Sequence, residues 1–189
     1  LLKGSAVENL SLILRNGDII KELRDEVDAY EYDLTIIGGS AKRSMSHDMI
    51  QYINSSIFVV NNFNKTINYK ILLAVDDSPG TKKAVKYGVR VAQAFGIKVQ
   101  IITVNEDENF NEANKKASES ASKMMRRCGV KAETKFEIGK PVDKIIELAG
   151  EDHIIIMGAS TQSPIAKFFV GSKPLNVMQN SNCPILIVK

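Results

Sequence analysis

IIIMGASTQSPIAKFFVGS, residues Ile154–Ser172, is the stretch whose reading decides the fold. It opens as an uninterrupted apolar run, Ile154-Ile155-Ile156-Met157. A run that short and that rich in β-branched residues predicts a strand buried on both faces. It stops at Gly158, small and hydroxyl residues follow at Ala159-Ser160-Thr161, and Gly171-Ser172 closes the stretch. A buried parallel strand that ends in glycine and small polar residues leaves backbone N–H groups free at its carboxyl end. In open α/β sheets that edge is where ligands bind, and phosphate suits such amides.

The chain has 189 residues, 44% of them hydrophobic and 25% charged, with a net charge of +3. That is enough for one ordinary domain or two small ones. The charge balance does not call for a nucleic-acid partner. Lys82-Lys83 and Arg126-Arg127 read as solvated helix faces. No apolar run approaches the roughly 20 residues that span a bilayer, so no membrane partner is expected. Cys128 and Cys183 lack metal-type spacing. Two lone thiols and no visible signal-peptide pattern point to the cytoplasm.

Outward from the organising strand, the carboxyl-terminal part of the chain alternates strictly. Lys70–Val75 is a buried strand closed by Asp76-Asp77-Ser78-Pro79-Gly80. Pro79 suits a first helical turn, after an N-cap at Asp77 or Ser78. Ala84, Tyr87, Val91 and Ala94 define the expected inner face of the helix that follows. Lys98–Val104 is a strand. Residues 111–127 are a helix with Ala113, Lys116, Ala117, Ser120, Ala121, Met124 and Met125 expected inward. Glu133–Ile138 is a strand and Gly139-Lys140-Pro141 starts a helix. After the organising strand come a helix near Leu175–Asn180 and a final strand, Pro184–Val188. Such β-α alternation predicts a parallel sheet covered by helices on both faces, with right-handed crossovers.

The first third repeats the last third. Leu10–Leu14 is strand-like, Asn16-Gly17-Asp18 is a turn with Asp18 as N-cap, and a helical pattern follows. Asp33–Ser40 matches Asp152–Ser160 in character, and Ser55–Val60 matches Cys183–Val188. The connecting loop is about eight residues shorter in the first copy, where Arg43-Ser44-Met45 stands in place of a Gly-Ser pair. A period above 100 residues means duplicated domains. The expected division is residues 1–62, the carboxyl-terminal half of a first domain; 63–68, a polar linker; and 69–189, a complete second domain. The chain begins Leu1-Leu2-Lys3 without a methionine. The expectation is an incomplete polypeptide, with a half supplied by another chain or a degenerate half-domain as alternatives.

Gly158-x-x-Thr161, nine residues, then Gly171-Ser172 resembles the G-x-x-G-(nine residues)-G-S/T loop of the universal stress protein family. Val75-Asp76-Asp77-Ser78-Pro79-Gly80-Thr81 resembles that family's V-D-x-S-x-x-S segment. The resemblance implies a doubly wound, Rossmann-like α/β fold of the adenine nucleotide alpha hydrolase type. Its sheet has five parallel strands in the order 3-2-1-4-5, here in a tandem arrangement. It implies an adenine-nucleotide-binding stress or regulatory module, with ATP or another adenine nucleotide as ligand and Mg2+ accompanying it. The alternative is a dimerising scaffold of the same fold without nucleotide. The nucleotide-binding residues it implies are Asp76, Ser78, Val104, Gly158, Ser160, Thr161, Gly171, Ser172 and Lys173.

Each assignment has a plainer rival. Asp76 also reads as a helix cap, and Val104 as an ordinary strand end. Thr161 stands where the family has a glycine that lets backbone approach phosphate. Pro174 removes an N–H donor, and Lys173 adds a compensating charge. There is no G-x-x-x-x-G-K-[ST] loop. His153, beside Asp152, reads as structural. No positioned nucleophile is visible, so at most slow ATP hydrolysis is expected rather than enzymatic turnover. The terminal strands Ile57–Val60 and Ile185–Val188, short apolar edges, are expected to face each other across a pseudo-two-fold axis and to carry self-association.

Overall fold

The computed structural model describes residues 11–38, 43–61, 63, 64, 66–108, 111–159 and 172–189. In chain order its elements are α1 (Ile19–Tyr30), β1 (Leu34–Gly38), α2 (Arg43–Tyr52), β2 (Ser56–Val60), β3 (Lys70–Ala74), α3 (Pro79–Phe95), β4 (Val99–Asn105), α4 (Glu112–Arg127), β5 (Ala132–Ile138), α5 (Pro141–Ala149), β6 (His153–Gly158), α6 (Ser172–Asn180) and β7 (Ile185–Val188). They build one seven-stranded sheet in the order β1-β2-β7-β6-β3-β4-β5. From β5 to β7 all neighbours are parallel. Numbered within this unit, that is the expected 3-2-1-4-5 order.

Local chemistry accounts for the element ends. Asp18 caps α1, its carboxylate accepting from the Lys21 amide at 2.9 Å. Asn111 caps α4 in the same way through Ala113. Gly96, at φ 65°, closes α3 in the left-handed conformation that suits glycine. Pro79 and Pro141 occupy first helical turns, where the lost N–H is unpaired anyway.

Successive strand residues alternate between the faces, and both faces of the central strands are apolar. Leu72, Ile102, Ile155, Ile185 and Ile57 lie beneath Val27, Ile50, Ile145 and Met178 of α1, α2, α5 and α6. On the other face, Ile71, Leu73, Ile101, Ile156 and Leu186 lie beneath Val85, Val89, Ala121 and Met125 of α3 and α4. Each such side chain contributes roughly 1.5–3 kcal/mol by leaving water. This two-sided burial holds the carboxyl ends of β3, β4 and β6 in line.

β2 and β7 meet antiparallel, with Ile57 opposite Ile187, Phe58 opposite Leu186 and Val59 opposite Ile185. The terminal strands therefore pair with each other inside one chain. Both are flanked on each side, so neither offers an edge to a second molecule. The expected contact between these two terminal strands is made within one chain.

Three expectations need correction. Leu10–Leu14 was expected to be a strand, but residues 11–16 have no regular structure, and Leu12 and Leu14 are each 87% exposed. No neighbouring strand offers them a ladder among the described residues. The buried face of α3 runs through Ala84, Val85, Gly88, Val89 and Ala92. Ala94 is exposed, and Tyr87 and Val91 sit on the flank. α4 is rotated as well: Ser118, Ala121 and Met125 are buried while Ala113, Lys116 and Ser120 face out. Near its start, Asn114 donates to the buried Asn105 of β4 at 3.0 Å.

Candidate functional site

Asp76 follows β3 and organises the turn into α3. Its Oδ1 accepts the Thr81 hydroxyl at 2.7 Å, the Ser78 amide at 3.1 Å and the Ser78 hydroxyl. The Asp76 amide in turn donates to Thr81 Oγ1 at 3.3 Å. Ser78 holds the N-cap position of α3, but its side chain makes no cap bond, having turned to Asp76. The cap reading of Asp76 is thereby replaced: Asp76 ties the loop rather than the helix end. The other carboxylate oxygen carries no bond within this loop.

Asn114 of α4 extends the network. Its side-chain oxygen accepts the Asp77 amide at 2.9 Å, and its nitrogen donates to Asn105 at 3.0 Å. Neither Asn114 nor Thr81 was singled out from the sequence. The final hydroxyl position of the V-D-x-S-x-x-S segment was the available signal for Thr81. Nothing in the local sequence marks Asn114, whose partners lie on other elements.

Gly158 ends β6 one strand away from Asp76. A β-carbon there would lie 2.4 Å from the carbonyl carbon of Gly80 in the first turn of α3. The glycine is thus required by close helix–strand approach. Val104, on β4, is half-buried and lines the same crevice. So do Lys173 and Pro174 from the start of α6. Ser172 is exposed at the first position of α6. Pro174 is buried within the first helical turn, where the helix itself needs no N–H from it. Ser160, Thr161 and Gly171 lie outside the described residues.

Asp76, Val104, Gly158 and Lys173 therefore border one crevice at the carboxyl edge of the sheet, where strand order reverses between β6 and β3. Ile102, Ile145 and Met157 supply apolar walls. The crevice encloses about 110 Å³. A neighbouring groove of about 430 Å³ between α3 and α4 shares Asp76, Asp77 and Thr81 with it and carries Lys82, Lys86 and Lys116. A larger cavity of about 750 Å³ lies at the opposite, amino-terminal edge of the strands, bordered by Lys98, Arg126 and Lys131.

Away from the crevice, His153 and Asp152 have structural partners. His153 is buried, its Nδ1 2.7 Å from Asp152 and 3.0 Å from the Ala149 carbonyl oxygen. The hydrogen bond from Lys70 holds the Asp152 carboxyl below its usual range. Burial pushes the Cys183 thiol up to about 11, which makes it a poor nucleophile. Among the described residues no cluster of three or more His, Cys, Asp or Glu is placed to hold a metal, and no helix is long and apolar enough to cross a membrane.

This geometry defines a class: a doubly wound α/β domain with a crevice at its topological switch point. The comparisons narrow it. The universal stress protein family model matches residues 68–189. A universal stress protein of Methanocaldococcus jannaschii is 27% identical over 138 residues, covering 64% of this chain and 81% of its own length. The crystal structure of a universal stress protein from Archaeoglobus fulgidus superposes with a TM-score of 0.71 at 19% identity, covering 92% of this chain and 66% of that one. A universal stress protein solved in complex with cAMP superposes at 0.54 and 27% identity, over 65% of this chain and 98% of that one. Another from Archaeoglobus fulgidus, in complex with dAMP, superposes at 0.53 and 22% identity, over 66% and 100%. The chain belongs to the universal stress protein family.

Proposed function

We propose that the crevice of the second unit binds an adenine nucleotide, and that the nucleotide acts as a regulatory ligand rather than a rapidly turned-over substrate. The observation that carries this reading is the convergence of Asp76, Val104, Gly158 and Lys173, drawn from separate elements, on one crevice at the switch point. Relatives solved with cAMP and dAMP support the ligand class.

The residues suit the parts of such a ligand. Ile102, Val104, Ile145 and Met157 form an apolar slot for a flat base. The Asp76 oxygen not tied to the loop can accept a hydrogen bond from a ribose hydroxyl or an amino group. Lys173 and the amino end of α6 favour a phosphate, with Ser172 as a hydroxyl donor. Ser78 serves the site by fixing Asp76. Ser160, Thr161 and Gly171 complete the loop in this reading. A Mg2+ ion would arrive on the nucleotide's phosphates, because Mg2+ usually keeps several waters and few protein ligands.

A scaffold without nucleotide is the second reading. The crevice volume of about 110 Å³ favours it, being below the roughly 300 Å³ at which small-molecule sites begin. The deciding experiment is mass spectrometry of small molecules released from the purified protein, followed by calorimetry with ATP, AMP and cAMP. Near-stoichiometric adenine nucleotide is expected. No retained nucleotide and no heat with any of the three would leave the scaffold.

A further inference from the structure

The groove between α3 and α4 has an apolar floor that the sheet does not account for. Ser118, Ala121 and Met125 are the buried residues of α4. Ala113, Ala117, Ser120 and Met124 form a second stripe at helical spacing. That stripe borders the groove: Ala113 and Ser120 are exposed, and Ala117 and Met124 are half-buried. The sequence thus carries more apolar face on α4 than the sheet covers. From α3, Thr81 and Val85 complete the floor.

The groove is closed at one end, where a β-carbon on Gly88 would lie 3.1 Å from the Met125 methyl carbon. The turn at Asp76, Asp77 and Ser78 borders the other end. From Ala113 to Met124 it runs about 16 Å, about three helical turns. It holds about 430 Å³ against about 110 Å³ in the crevice, so the roomier recess is the one without an assigned ligand.

Both banks carry the same charge. Lys82 and Lys86 stand one turn apart on α3, and Lys116 stands on α4. All three are exposed, and among the described residues none is in an ion pair. Along the helical part of the groove no other charged residue lines it among the described residues. Asp76 and Asp77 are confined to the turn, where Ser78 and Thr81 hold Asp76. Lysine stems lie over apolar surface while their ammonium groups reach past the rim. An occupant that matches both banks is apolar along one stripe and anionic on each side of it. An amphipathic helix with apolar residues at i, i+3, i+4 and i+7, flanked by carboxylates, has that pattern. An acyl chain carries its anion at one end only and leaves a bank unpaired.

We propose that the α3–α4 groove docks an acidic amphipathic helix of a partner protein. Its apolar stripe sits on Ala117 and Met124 over Val85 and Ala121, and its carboxylates face Lys82, Lys86 and Lys116. The small side chains of Ala113 and Ser120 let its backbone approach. The lysine banks steer acidic helices in and exclude basic ones. The contact stands whether or not the crevice binds a nucleotide.

The test titrates the isotope-labelled full chain with two model peptides of about 14 residues, long enough for the three turns of the groove. Both carry leucine and alanine on one face; the first has glutamate on the flanks, the second lysine. The glutamate peptide should shift the NMR amide signals of Ala117, Ser120 and Met124, with an affinity that falls as salt is added. Lys82→Glu, Lys86→Glu and Lys116→Glu together should weaken it by about tenfold or more and strengthen the lysine peptide. These side chains lie outside the core, so the variant should keep the parent's melting curve. Ser120→Trp, filling the groove from its open side, should abolish binding. Groove signals that stay still at about 1 mM peptide, or equal binding of the two peptides, overturn the proposal. Laurate moving these signals where the glutamate peptide does not would make the groove an acyl site and overturn it. The same shifts on concentrating the chain without peptide would assign the groove to a second copy, and would also overturn it.

Discussion

The backbones of Gly158 and Gly80 touch: a β-carbon on Gly158 would stand 2.4 Å from the Gly80 carbonyl carbon, and one on Gly80 would stand 2.9 Å from the Ala159 carbonyl oxygen. Neither obstacle is a flexible side chain, so a substitution must move α3 away from β6. Gly158→Ala is expected to cost about 3 kcal/mol, at the upper end of overpacking effects. Gly80→Ala should cost less. Urea unfolding of the two variants checks the order, and equal stability to the parent would show that the helix can shift freely.

Asp76→Ala removes an acceptor shared by Ser78 and Thr81. Hydrogen bonds to a charged group contribute about 1.5–3 kcal/mol, so the folded state should lose an amount in that range. The nucleotide reading adds a further expectation, that ATP affinity falls alongside stability. Asp76→Asn keeps an oxygen for the loop and should recover more stability than affinity. Melting and calorimetry on the same samples separate the roles, and intact affinity in both variants would remove Asp76 from the site.

Thr161→Gly tests the loop. Removing a β-carbon near backbone amides should keep or strengthen ATP binding if the loop cradles phosphate. Titration calorimetry on both forms provides the check, and a weaker-binding glycine variant would contradict a cradle.

Ile187→Pro tests the join between the units. The Ile155 amide bonds Pro184 and the Ala159 amide bonds Val188, so the even-numbered residues of β7 face β6. Ile187 is then turned towards Ile57 of β2. Proline removes that donor from a strand flanked on both sides, which a sheet interior does not tolerate. A melting temperature at least about 10 °C lower is expected. An unchanged melting curve would show that β2 and β7 do not pair.

Lys189 gives a pH signature. Its ammonium donates to the Ile53 carbonyl, and burial pulls its pKa down to about 8. The unfolded chain would hold that proton up to the ordinary lysine value of about 10.4. Between about pH 8 and 10 the unfolded state therefore binds more protons, and stability should rise with pH across that window. Lys189→Met should flatten this rise and raise stability near neutral pH by about 1–2 kcal/mol, allowing for solvent at the open side of the side chain. Parallel unfolding curves of parent and variant from pH 7 to 10 test the sign.

The order of the second unit, its strand directions and the crevice at its switch point were legible along the chain, because apolar runs and glycine stops record burial and chain reversal locally. Helix faces were read less well. In α3 and α4 several faces are partly apolar, and only the partner surface selects one: Gly88 of α3 lies against Leu73 of β3 and Met125 of α4.

Within the site, the sequence by itself determined which residue types stand at the carboxyl ends of β3, β4 and β6. Tertiary structure alone decided their work. Asp76 became the anchor of a hydroxyl pair, Gly158 became the contact for Gly80, and Asn114 joined the loop from a helix 37 residues away from Asp77. Hydrogen bonds and backbone contacts across that separation depend on how layers pack, and packing leaves no periodic mark. Leu10–Leu14 shows the same limit from the other side: a strand pattern is an offer of hydrogen bonds, and it becomes a strand only where another strand accepts them.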